Sequence, residues 1–221
     1  MTGKMVNFHG ANERTISGYL ATPASGQEAG VLALHAWWGL NDFFKAFCDQ
    51  LAAQGFVVLA PDLYGEGRVA TTIEEAERLS GSLNGEQTYK DISGAVDYLL
   101  AQPGVRGERV GVVGFSLGAG FALMLEEHIG AIVVFYGLTD PQYISAEAAF
   151  QGHFAEHDPY ESAEGVRETE ERLRGLGREV EFYTYPGTGH WFFEEDRPDA
   201  YNAEAAKLAW ERTVNFLKGR M

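Results

Sequence analysis

Cysteine is nearly absent from this chain: Cys48 stands alone among 221 residues, so neither an internal disulfide nor a cysteine-based zinc site can staple the fold. Basic residues are scarce. Lys and Arg total 17 against 32 Asp and Glu, a formal net charge of −15, which repels nucleic-acid phosphates and anionic lipid headgroups. Neither nucleic acid nor membrane is expected as a partner. Long apolar runs are missing too: no stretch approaches the ~18 apolar residues of a membrane span, and the opening MTGKMVNFHGANERT has no apolar core after its lysine. The composition predicts a soluble cytoplasmic protein without a secretory leader. No linker rich in Gly, Ser or Pro and no internal repeat divides the chain. With 45% hydrophobic residues there is material for a sizeable core, and a single domain over 1–221 is expected.

What is present alternates. Val31–His35, Phe56–Ala60, Val110–Gly114 and Ala131–Tyr136 are short, almost continuous apolar runs that read as strands buried on both faces. Between them, Asp42–Gln54, Gly85–Gln102 and Leu117–His128 have helical period. Later segments predict a strand at Ala149–Phe154, a charged helix near Glu161–Leu176, a strand at Val180–Tyr185 and a last helix from about Asp199. At the start, Lys4–His9 and Arg14–Thr22 suit an antiparallel pair joined by a turn around Gly10–Asn12. The acidic runs Glu74–Glu77 and Glu168–Glu171 read as solvated helix faces. The predicted class is α/β, a mostly parallel central sheet with helices on both faces. Only about a dozen residues separate Ala131–Tyr136 from Ala149, too few for a helical cap domain.

The strand Val110–Gly114 runs into Gly114-Phe115-Ser116-Leu117-Gly118 and then a helix. A G-x-S-x-G pentapeptide in that setting is a nucleophile elbow, in which a sharp turn exposes the serine oxygen and glycines avoid collisions with strand and helix. A serine hydroxyl needs a base, and the base needs a carboxylate to orient it. Of the six histidines, His190 has the best setting, in a loop with two glycines after Val180–Tyr185. His35, at a strand end, reads as structural, and none of the others forms a metal-ligand cluster. No metal or cofactor is expected. Asp158, just past Ala149–Phe154, is the expected acid, with Asp140 as alternative. The N–H of Leu117 and that of Trp37, in the loop after Val31–His35, are the expected oxyanion donors. Trp37, Trp38 and Trp191 are candidate pocket residues, the first two equally readable as core aromatics. Cys48 lies inside a predicted helix and reads as an inert small hydrophobe.

Over nearly its whole length the chain resembles the dienelactone hydrolase family of α/β-hydrolases. The similarity rests on HAWWGLND at His35–Asp42, QGFVVLAPDLYG at Gln54–Gly65, GFSLGAG at Gly114–Gly120, and the HFAEHDP and YPGTGHWF loops. It implies an α/β-hydrolase fold with no cap domain and a nucleophile, acid and base on Ser116, Asp158 and His190. The chain differs from the best-studied members in having serine rather than cysteine at 116, Ala36 where they gate the thiol with glutamate, and Glu194 where they hold an arginine for the substrate carboxylate. These changes point away from dienelactone itself. With the net charge, Glu194 beside the histidine loop predicts a neutral substrate unless Arg68, Arg78 or Arg197 reaches the pocket.

The sequence therefore predicts a cofactor-independent carboxylesterase or lactonase of the dienelactone hydrolase type, working on a small-molecule ester or lactone as a monomer or homodimer. The elbow does not specify the leaving group, so a thioesterase or small peptidase with the same triad stays open. So does a non-catalytic scaffold that binds a small ligand.

Overall fold

The computed structural model describes residues 3–10, 14–24, 28–144 and 146–221. The chain divides into two compact units, Met1–Val112 and Val113–Met221.

In the first unit, β1 (Lys4–His9) and β2 (Thr15–Ala21) pair antiparallel from Lys4↔Leu20 to His9↔Thr15. The turn expected around Gly10–Asn12 lies partly outside the described residues. β2 runs antiparallel to β4 (Val57–Pro61), and β4 is parallel to β3 (Gly30–Leu34). Every residue of β3 and β4 is buried, which is why both read as unbroken apolar runs rather than alternating ones. The helix α1 (Asp42–Ala53) buries Phe44, Phe47, Cys48 and Leu51 along one stripe, and its Asn41 cap accepts the Phe44 N–H. α2 (Ile73–Gly81) buries only Ala76 and Leu79, too weak a stripe to set its bounds from sequence. It is held by its Thr72 cap and by Glu75, which accepts the Thr71 N–H and hydroxyl at 2.9 Å. α3 (Gly85–Leu100) follows, capped by Asn84.

The chain passes into the second unit along β5 (Val110–Phe115) and continues as α4 (Leu117–Met124), β6 (Ile129–Phe135), β7 (Ala149–His157), α5 (Ala163–Gly175), β8 (Val180–Gly189) and α6 (Ala203–Arg220). Strand order in the eight-stranded sheet is β1-β2-β4-β3-β5-β6-β7-β8. The fold is α/β, with six α-helices among the described residues and a mostly parallel mixed sheet.

Boundaries depart from expectation at four places, one of them the last helix, which starts at Ala203 behind its Asn202 cap rather than near Asp199. α4 stops at Met124 rather than His128, because Leu125 is extended and His128, at φ 63°, makes the left-handed reversal that starts β6. β7 continues to His157 and β8 to Gly189, beyond the expected Phe154 and Tyr185. Glu156, Pro186 and Gly187 read locally as loop, but the parallel ladder that joins Phe150↔Val180 through Ala155↔Tyr185 resumes after a bulge at His157↔Gly189. Between β6 and β7 the described residues hold a single 3-10 turn, Pro141–Tyr143. Among the described residues, no helix is long and apolar enough to cross a membrane.

Candidate active site

The site grows from strand ends in the second unit. Since His157 pairs with Gly189, the next residue of each strand, Asp158 and His190, leaves the sheet side by side. The imidazole Nδ1 lies 2.9 and 2.8 Å from the two carboxylate oxygens of Asp158. Asp158 Oδ1 also accepts the backbone N–H groups of Tyr160 (2.9 Å) and Glu161 (3.1 Å), so the carboxylate is fixed before it meets the ring. Both side chains are almost sealed from water, at 4% and 2% exposure for His190 and Asp158. A carboxylate can only accept, so Nδ1 carries the proton and Nε2 presents a lone pair.

That lone pair faces Ser116, whose Oγ is 3.0 Å from Nε2. Ser116 stands alone between β5 and α4 at φ 49° and ψ −111°, a backbone region that costs a non-glycine residue of order 1–3 kcal/mol. The surroundings hold it there: its N–H donates to the Phe135 carbonyl at 2.9 Å, and its own carbonyl accepts from Ala119 (2.9 Å) and Gly120 (3.2 Å). Two glycines make room. A Cβ on Gly114 would come within 2.5 Å of the Gly118 carbonyl oxygen, and one on Gly137 within 2.4 Å of the Ser116 carbonyl oxygen. Leu117 opens α4, so its N–H has no intrahelical acceptor and belongs to the donor-rich end of a helix.

Behind the imidazole lies a buried pair. The Tyr136 ring centroid is 4.9 Å from that of His190, and its hydroxyl donates to Glu194 Oε1 at 2.7 Å. Glu194 is 0% exposed and its Oε2 has no hydrogen-bond partner among the described residues. Burial, reinforced by the Asp196 charge and opposed by the Tyr136 bond and Arg197, pushes its carboxyl up to about 8, while burial also raises the Tyr136 phenol. Against the expectation of an anion facing a substrate, Glu194 is buried, and burial favours its protonated form. Glu161 is the second unforeseen carboxyl. It accepts the Leu138 N–H at 3.0 Å, and burial lifts it to about 7.

Asp140 is exposed and caps the 3-10 turn, accepting from the Gln142 backbone and amide. His35 is buried and neutral, its Nδ1 on the Ala36 carbonyl (2.6 Å) and its Nε2 accepting from Leu63 (3.2 Å). It ties two loops of the first unit together. Trp37 is half-buried, with its carbonyl accepting from the Tyr64 hydroxyl at 2.8 Å, and Trp38 is buried against it with ring centroids 5.5 Å apart. Trp191 is half-buried, with its ring centroid 5.0 Å from that of His190. Cys48 is buried in α1, and burial raises its thiol far above the range in which a thiolate forms. Among the described residues no cluster of three or more His, Cys, Asp or Glu is placed to hold a metal.

A mostly parallel sheet with a strained serine between strand and helix is the α/β-hydrolase arrangement. The sequence profile of the dienelactone hydrolase family matches residues 16–221. The chain belongs to that family. It is 34% identical to protein usf of Aquifex pyrophilus, covering 98% of both chains. It is 31% identical to a "Probable 2-oxo-3-(5-oxofuran-2-ylidene)propanoate lactonase" of a Bradyrhizobium species, covering 95% of this chain and 91% of that one. Among solved structures, a dienelactone hydrolase-like promiscuous phosphotriesterase from metagenomic libraries superposes with a TM-score of 0.87 at 21% identity, covering 100% and 99% of the two chains. At that identity the likeness is one of fold.

Proposed function

We propose that this protein is a serine hydrolase that cleaves a small carboxylic ester or lactone through an acyl-enzyme. The observation that carries the reading is the continuous relay from Ser116 Oγ to His190 Nε2 at 3.0 Å and from Nδ1 to Asp158 at 2.8 Å. As Oγ attacks the carbonyl carbon, Nε2 takes its proton, and the carbonyl electron pair moves onto oxygen. The Leu117 N–H receives that charge, with the Trp37 N–H as the second donor that the sequence pattern suggests. Collapse expels the leaving oxygen, which takes the proton back from Nε2. Water then repeats the sequence and frees Ser116. With a lactone the leaving oxygen stays tethered and the product is a hydroxy acid. The name of the Bradyrhizobium relative supports lactone chemistry, and the buried, neutral Glu194 removes one objection to a carboxylate-bearing substrate.

A fluorophosphonate probe tests the reading. Stoichiometric labelling of the wild type, lost in Ser116→Ala together with roughly 10³-fold or more of kcat on a model ester, is the expected result. An unlabelled wild type, or an active Ser116→Ala protein, would overturn it.

A further inference from the structure

Acyl transfer uses the two nitrogens of His190, yet among the described residues the rings of Tyr136, Tyr160 and Trp191 lie 4.7–5.0 Å from the imidazole. Tyr136 is wholly buried, closed off by Phe115 and Phe192 and tethered by Glu194. It is a floor that no substrate reaches. Tyr160 is different: its ring lies 4.7 Å from that of His190 at an angle of 57°, yet the residue is 51% exposed. Its position is also set, since its N–H donates to the Asp158 carboxylate that orients the imidazole. Trp191 stands edge-on to His190 at 86° and 5.8 Å from Tyr160. It occupies φ 66°, a conformation that penalises every residue but glycine.

We infer that Tyr160 and Trp191 form an aromatic platform for a flat leaving group, and that aryl esters are the preferred substrate class. The inference rests on the acyl-transfer reading above and adds to it the side of the substrate that the two rings contact. His190 must protonate the departing oxygen, which therefore comes within hydrogen-bond reach of Nε2. Whatever that oxygen carries then lies against the exposed Tyr160 ring and the accessible part of the half-buried Trp191 ring. An alkyl group gains there only by leaving water, whereas an aromatic ring also gains from offset or edge-to-face contact at centroid separations like those the three rings already show. Because the Tyr160 loop is held to Asp158 before substrate arrives, little ordering cost offsets that gain.

The test is the ratio of kcat/KM for phenyl acetate to that for ethyl acetate, measured in the wild type, Tyr160→Ala, Tyr160→Phe and Trp191→Gly. Intrinsic leaving-group reactivity is common to all four proteins and cancels. The ratio should fall roughly 5- to 10-fold in Tyr160→Ala and in Trp191→Gly, and Tyr160→Phe should keep it, because the ring and not the hydroxyl is at work. Equal losses on both esters would mean that the residues only support the loop, and would overturn the platform; so would a ratio that does not move. Failure of the wild type to cleave phenyl acetate also overturns it. If Ser116 still takes up the fluorophosphonate in that case, the hydrolase reading survives, and if it does not, both fall.

Discussion

Replacing Glu194 with glutamine keeps the shape of a buried group while removing its titration. In the folded protein burial holds this carboxyl at about 8 instead of the ordinary 4.5, so over that interval the native state keeps a proton that the unfolded chain releases. Stability therefore falls as pH rises through the interval, by about 1.4 kcal/mol per pH unit, and is level below and above it. Between pH 5 and pH 7.5 the loss is about 3 kcal/mol, a large share of the roughly 5–15 kcal/mol that holds a domain folded. Glutamine escapes this loss. Its carbonyl still accepts from the Tyr136 hydroxyl, but its amide donors would occupy the place of Oε2, which has no partner among the described residues, at a cost of about 1–3 kcal/mol. Glu194→Gln should thus be the less stable protein at pH 5, and the two stability curves should converge or cross between about pH 6 and pH 7.5. Urea unfolding at half-unit pH steps would measure both curves. Curves that stay parallel from pH 5 to pH 8 would show that the folded protein holds no proton at Glu194.

Three other expectations are simpler to check. Asp158→Asn should turn the imidazole away from Ser116 and cost up to about 10⁴-fold in kcat, whereas Asp140→Asn, at an exposed cap, should be mild; steady-state kinetics with the ranking reversed would move the acid to Asp140. Gly114→Ala would drive a methyl group to 2.5 Å from one backbone atom and 2.7 Å from two others, so its Tm or soluble yield should drop sharply, and an unchanged Tm would contradict the packing described at the elbow. With only a 3-10 turn described between β6 and β7, no deep acyl tunnel is expected, so selectivity over C2 to C12 p-nitrophenyl esters should favour short chains; an optimum at C8 or longer would refute an open site.

The parts of the site legible from sequence are those whose requirements are local. An elbow needs small residues within two positions of its serine, and Gly114-Phe115-Ser116-Leu117-Gly118 carries that need in its composition. His190 stood out because of Gly187 and Gly189. What was illegible depends on partners distant in the chain. The last residues of β7 and β8 look like loop because Glu156, Pro186 and Gly187 are poor strand formers, and only the ladder between the two strands makes them strand. Glu194 reads from sequence as an anion beside the histidine loop because nothing within a few residues announces that Tyr136, 58 positions away, will receive it. Tyr160 escaped notice for the opposite reason. A lone surface tyrosine is ordinary, and it acquires meaning only from the ring found 4.7 Å from it.

The pairing of His157 with Gly189 bears on how such a chain can diversify. Asp158 and His190 are delivered to one another by main-chain hydrogen bonds of neighbouring strands, so their separation does not depend on the identity of the residues that follow them. The segments after Asp158 and His190 can then change in length and chemistry between descendants, altering which molecules are admitted while the carboxylate and the imidazole stay in register. An insertion or deletion within β7 or β8 has no such latitude. It would offset one strand end from the other by a residue, and since side chains alternate along a strand, it would turn one of the two groups to the opposite face of the sheet.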